Sequence, residues 1–103
     1  MSAYVLTPQA KADIFTIWRF IAQDDENSAE RVEQAIYEAC AFVADAPMHG
    51  HSRADLTNRA LRFWTLIRFP NYAVVSRPAT VPLEVVAVLH GKRHLRRILR
   101  RRQ

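Results

Sequence analysis

The 103-residue sequence has one cysteine, Cys40, and two glycines, Gly50 and Gly91. A single thiol forms no intrachain disulfide, so no disulfide framework staples this fold, and a lone free thiol fits a reducing compartment. Two isolated glycines do not make a Gly-rich phosphate loop. No stretch approaches the roughly 18 consecutive apolar residues of a membrane span. The opening MSAYVLTPQAK lacks the long apolar run behind a basic start that marks a secretory leader. A cytoplasmic protein with no membrane partner is the expectation. Metal chemistry also lacks its residues. His49 and His51 flank Gly50, and His90 and His94 stand four apart, but no Cys, Asp or Glu at ligand spacing supports either pair. Neither metal nor cofactor is expected, and no Ser–His–Asp set can be inferred.

What is present is an apolar half and a strong charge gradient. Half of the residues are hydrophobic, enough for one real core, and the length fits one domain over residues 1–103. Residues 1–58 carry four Lys/Arg against nine Asp/Glu, a net of −5. Residues 59–103 carry eleven Lys/Arg against one acid, Glu84, a net of +10. A fold so polarised attracts anionic partners to its basic side. The basic run at about 92–103 reads as a C-terminal tail.

Periodicity gives the order of elements. Ala3–Leu6 reads as a short strand. Thr7 and Pro8 then suit a helix cap and first helical position. Ala10, Ile14, Ile17, Trp18 and Ile21 form one helical face ending near Gln23, with Asp13 and Arg19 off it. After the acidic turn Asp24–Glu26, a second helix starts with Asn27 or Ser28 as cap. It carries Ala29, Val32, Ile36, Ala39 and Val43 on one face and stops at Pro47. Cys40 falls in this spacing as a core residue. So short a connection predicts an antiparallel helical hairpin. Residues 48–58 lack periodicity and read as loop. Alternation over Leu61–Ile67, a turn at Pro70-Asn71, and the runs Tyr72–Arg77 and Leu83–Leu89 predict three strands, the last one central. The tail LRRILRRR suits a short helix with Leu95, Ile98 and Leu99 inward. The fold class is α+β, β-α-α-β-β-β(-α), with the hairpin on one face of a small, mainly antiparallel sheet. Trp18 and Trp64 are expected to fill the space between helices and sheet.

The candidate functional residues follow from the charge. Arg62 and Arg68 share one face of their strand by period-2 spacing, Arg77 lies on the next, and His90, Lys92 and Arg93 follow the central strand. Guanidinium groups held on separate strands are expected to converge into one rigid cationic surface able to bind phosphate or carboxylate. His90 is the best general acid/base by its ordinary pKa, without a carboxylate neighbour in sequence.

Several segments together resemble the RelE/ParE superfamily of toxins from type II toxin–antitoxin pairs. The opening YVLTPQAKADIFTIWRFIA is similar to its first strand and helix, and a second helix ending at Ala46-Pro47 follows. Asp55-Leu56 through Arg59, Leu61 and Arg62 resembles the family's loop into its second strand. Tyr72–Arg77 and the ending VAVLHGKR (Val86–Arg93) resemble its third and fourth strands. The likeness is closer to the ParE branch. RelE-type nucleases use basic residues with a late Tyr, or with Glu/His, and no Tyr follows Arg77 here. Two positions depart from the usual pattern: His94 stands where an Asp often follows the Arg, and Ser76 where an aromatic is common.

The resemblance implies a toxin that arrests growth, associated with plasmid stabilisation. Its implied partners are DNA gyrase as target and a cognate antitoxin as neutraliser. No residue would then be catalytic, and Arg62, Arg68, Arg77, His90, Lys92 and Arg93 would form the binding surface. The alternative is a RelE-like, ribosome-dependent mRNA endonuclease. There His90 would move a proton, and Arg62, Arg77 and Arg93 would stabilise charge on mRNA.

Overall fold

In a computed structural model the described residues are 4–48, 50 and 60–91. They form β1 (Tyr4–Leu6), α1 (Pro8–Ala22), α2 (Glu26–Asp45), β2 (Arg62–Thr65), β3 (Tyr72–Arg77) and β4 (Leu83–His90). The tail helix with Leu95, Ile98 and Leu99, and most of the expected loop before β2, lie outside the described residues. The two helices pack on one face of a four-stranded sheet of order β1-β4-β3-β2. The sheet is mixed. β2, β3 and β4 pair antiparallel, and β1 pairs parallel to β4. A parallel pair needs a crossover, and the helical hairpin between β1 and β2 leaves β1 free to run that way.

Local sequence explains the helix boundaries. Thr7 caps α1 through its Oγ1, which accepts the Ala10 N–H at 3.1 Å, with Pro8 just inside. α2 is capped by Asp25, two positions ahead of the expected Asn27 and three ahead of Ser28. Asp25 takes the Asn27 amide on Oδ1 at 3.0 Å and the Ser28 hydroxyl on Oδ2 at 2.6 Å. The Ser28 hydroxyl, followed by the backbone N–H groups, holds its carboxyl below the usual range. A carboxylate accepts from two donors at once, which an Asn side chain with its single oxygen does less well. α2 ends at Asp45 with Ala46 as its C-cap, ahead of Pro47.

The main core is Ala10, Ile14 and Ile17 of α1 and Val32, Ile36, Ala39, Cys40 and Val43 of α2, set against Val74, Val85 and Val88 of the sheet. Burial pushes the Cys40 thiol up to about 12, so it stays protonated and inert in the folded protein. A second apolar cluster (Leu61, Phe63, Val75, Val86, Ala87 and Leu89) lies on the opposite face. β4 is therefore buried on both sides, which is why its sequence is a continuous apolar run.

Strand β4 holds one extra residue. Val75 pairs with Ala87 while Ser76 pairs with Val85, so Val86 is unmatched and forms a bulge. Side chains alternate along a strand, and one extra residue reverses the alternation beyond it. Leu83 and Val85 before the bulge face the helices, and so do Val88 and His90 after it.

Candidate functional site

The described candidate residues Arg62, Arg68, Arg77 and His90 fall at two ends of the sheet, not on one surface. Arg62 pairs across strands with Ser76, and Arg77 with Glu84, at one end. Tyr72 pairs with His90 at the other. Arg62 and Arg77 also point to opposite faces. Arg62 shares the side of its cross-strand neighbour Ser76, and Arg77 is the next residue on that strand. The expected convergence of the strand-borne arginines does not occur among the described residues.

Each arginine at the first end has an internal partner. The Arg77 Nε donates to Glu84 Oε1 at 3.0 Å, an ion pair between half-exposed side chains on the outer face. The Arg62 Nη1 donates to the Gly50 carbonyl at 3.4 Å, at the long limit for such a bond. Gly50 lies so close to β2 that a Cβ there would stand 2.7 Å from the Phe63 carbonyl oxygen. Only a residue without a side chain fits that approach.

The second end is built differently. Arg68 does not share a strand face with Arg62, because β2 stops at Thr65. Leu66 N–H donates to the Tyr72 carbonyl at 3.0 Å and Tyr72 N–H to the Phe69 carbonyl at 3.0 Å, closing the β2–β3 turn that carries Ile67 and Arg68 outward. Both are exposed, Ile67 at 83%. The Arg68 guanidinium stands 6.0 Å from the Phe69 ring centroid, and no carboxylate among the described residues pairs with it. His90 stacks on Tyr72 with ring centroids 4.7 Å apart and planes 23° apart. Burial raises the Tyr72 hydroxyl above its usual pKa, so it stays neutral. Gly91 closes β4 at φ 64°, a left-handed turn that glycine adopts without strain, and its N–H donates to the Asn71 carbonyl at 2.7 Å. Lys92 and Arg93 lie outside the described residues.

Two apolar clefts open at this end. One, of ≈ 390 Å³, lies between α2 and the β2–β3 turn, with Ala39, Phe42, Trp64, Ile67 and Arg68 among its walls. The other, of ≈ 440 Å³, lies between α1 and the strand ends, bounded by Thr16, Ile17, Phe20, Tyr72 and His90. Trp64 is half-buried and faces the first cleft, its ring 4.9 Å from that of Phe42. Trp18 is half-buried as well. Neither tryptophan is fully enclosed.

Two kinds of residue here were not marked by sequence. Phe20 and Phe42 are 65% and 44% exposed, on the flank of helices whose buried stripes do not include them. Their signal was aromatic residues off an apolar stripe. Asp13 was placed off the α1 face, yet its Oδ2 accepts the Val88 amide at 2.9 Å. β1 reaches only Val85, so the edge of β4 beyond it needs other partners. Asp13 supplies one, and the Thr7 hydroxyl supplies another to the Val86 carbonyl at 3.4 Å. Position 13 lies three residues after Ala10 and four before Ile17, which puts it on the rim of the apolar stripe.

Comparison with known proteins agrees with this architecture. No curated protein matches the sequence. A chain described as the chromosomal ParDE TA system from P. aeruginosa superposes with a TM-score of 0.71 at 18% identity, covering 89% of this chain and 98% of that one. At that identity the likeness establishes the fold. A family model described as the ParE toxin of the type II toxin–antitoxin system parDE matches residues 4–95, nearly the whole chain. The chain belongs to the ParE toxin family of type II toxin–antitoxin systems.

Proposed function

We propose that this toxin arrests growth in the cytoplasm by binding and poisoning DNA gyrase, and that a cognate antitoxin neutralises it in a heteromeric complex. Membership of the ParE family over residues 4–95 is the observation that carries this reading. The geometry supports a binding role over a cleaving one. An mRNA-cleaving site needs its proton carrier and its charge-stabilising cations within reach of one phosphate. Here Arg62 and Arg77 lie on opposite faces at one end of the sheet, and His90 stacks on Tyr72 at the other. The surface offered to partners is the His90 end, with Arg68 exposed beside two apolar clefts and Lys92 and Arg93 following in sequence.

Supercoiling by purified gyrase tests the target. Added toxin is expected to inhibit it, and equimolar antitoxin to restore it. Full gyrase activity at high toxin concentration removes gyrase as the target. Cuts in mRNA at the ribosomal A site after induction would replace this reading with the endonuclease alternative.

A further inference from the structure

The cleft between α1 and the strand ends opens where the sheet stops short. β1 pairs with β4 only as far as Val85, so the α1 side of His90 has no strand beside it among the described residues. Three aromatic rings meet there. His90 and Tyr72 are cross-strand partners on β4 and β3, which is what lets their rings stack 4.7 Å apart. Phe20 lines the same cleft from α1 and stays 65% exposed. Three polar groups belong to its walls as well: the Thr16 and Tyr72 hydroxyls and the His90 imidazole. None of them hydrogen-bonds another described residue. A buried tyrosine usually ties its hydroxyl to a partner inside the fold, and Tyr72 is only 9% exposed. Among the described residues no enclosed side-chain polar atom lacks a partner, so the Tyr72 hydroxyl reaches open space, and the cleft is the open space its residue lines.

We propose that this cleft binds a planar nitrogen heterocycle of the nucleobase class, presented as a free nucleoside. The ring enters between Phe20 and the Tyr72–His90 pair, and its nitrogens and exocyclic groups exchange hydrogen bonds with Tyr72, His90 and Thr16. The volume of ≈ 440 Å³ lies in the range of small-molecule sites, and a largely apolar cavity with a few convergent polar groups is their usual make-up. Aromatic walls favour a flat π-system over an aliphatic chain, because every base offers a face to stack. The polar groups favour a heterocycle over a hydrocarbon, which would strip water from the Tyr72 hydroxyl and give it no partner. Hydroxyls and a neutral imidazole both donate and accept, and the edge of a base carries donors and acceptors side by side. Charge then selects a nucleoside over a strand. No Lys or Arg among the described residues lines the cleft, so it holds no track of cations for successive phosphates. The site stands apart from the growth-arrest reading and does not depend on it.

Isotope-labelled full-length protein, titrated with adenosine, guanosine or uridine and followed by NMR, tests the site. At least one nucleoside is expected to bind saturably and to shift the resonances of Thr16, Phe20, Tyr72 and His90, while Arg77 and Glu84 at the other end of the sheet stay in place. Phe20→Ala removes an exposed ring, so circular dichroism and Tm should match the parent. Its affinity for that nucleoside should fall roughly tenfold or more. Tyr72→Phe keeps the ring and its packing and removes only the hydroxyl, and affinity should fall about three- to tenfold. Arg77→Ala should bind as the parent does. Undiminished affinity in both cleft variants puts the nucleoside elsewhere and overturns the assignment. So does benzyl alcohol, a flat ring without nitrogen, binding as tightly as the nucleosides, which would leave only an apolar hole. The absence of any saturable shift with all three nucleosides overturns it too, and the same resonances moving with the cognate antitoxin alone would give the cleft to a protein segment. An oligonucleotide that binds far more tightly than its nucleosides, with steep salt dependence, would give it to a strand and likewise overturn the proposal.

Discussion

The two ends of the sheet carry the same residue type in opposite states. At the Arg62–Arg77 end the guanidinium groups are tied to the Gly50 carbonyl and to Glu84. At the Arg68–His90 end the cation is exposed beside apolar clefts, and the histidine stacks on a tyrosine. An arginine count along the chain does not separate these states. Partnership does: a paired guanidinium has already spent its directional bonds inside the fold, and an unpaired one offers them to another molecule.

Breaking the tied end should cost stability and little else. Gly50→Ala is expected to have the largest effect, because the new Cβ would stand 2.7 Å from the Phe63 carbonyl oxygen and 3.2 Å from the Arg62 Cβ. Relieving such overpacking costs typically ~1–3 kcal/mol, to be read from urea denaturation as a lower midpoint at unchanged slope. Asp13→Ala, on the β4 edge between the two ends, leaves the half-buried Val88 amide without its 2.9 Å acceptor. The expected loss is ~1–2 kcal/mol. A sharper readout there is the labelling rate of Cys40, whose thiol pKa of about 12 blocks reaction in the closed core, so faster labelling at unchanged pH reports opening of the helix–sheet interface. Arg77→Ala breaks only a half-exposed ion pair and should cost under ~1 kcal/mol. Arg68→Ala should be the smallest of all, within about 0.5 kcal/mol of the parent, because the exposed side chain makes only a long 6.0 Å approach to the Phe69 ring. A stability loss for Arg68→Ala larger than for Arg77→Ala would erase the distinction between the ends.

Much of this architecture was legible in the sequence. Helical periodicity located both helices, because five apolar positions on α2 recur at three- and four-residue steps and all five are buried. Continuous apolar character marked β4 as central. The cap of α2 was misplaced because Asp25, Asn27 and Ser28 are all good capping residues, and the choice depends on where the acidic turn ends in space. The strand-borne arginines misled for a different reason. Period-2 reasoning ran β2 through Ile67, but the strand stops at Thr65 and the turn begins with Leu66, whose apolar side chain continues the strand-like pattern while its backbone already turns. Whether Arg62 and Arg77 share a face is a matter of cross-strand register, and register is set by pairing that no single segment contains. The likeness to toxin sequences identified the family correctly, while the placing of its charged groups required coordinates.

Strand β4 reads differently on either side of Val86. The unmatched residue there acts as a phase switch, deciding which sequence parity looks toward the hairpin for the remaining four positions. Straightening the ladder with that residue kept, so that Val86 paired with Val75, would turn Ala87 and Leu89 toward the helices and send the imidazole of His90 to the far side of the sheet, away from Tyr72. The bulge therefore decides the chemistry of a whole corner of the toxin without altering any residue that occupies it.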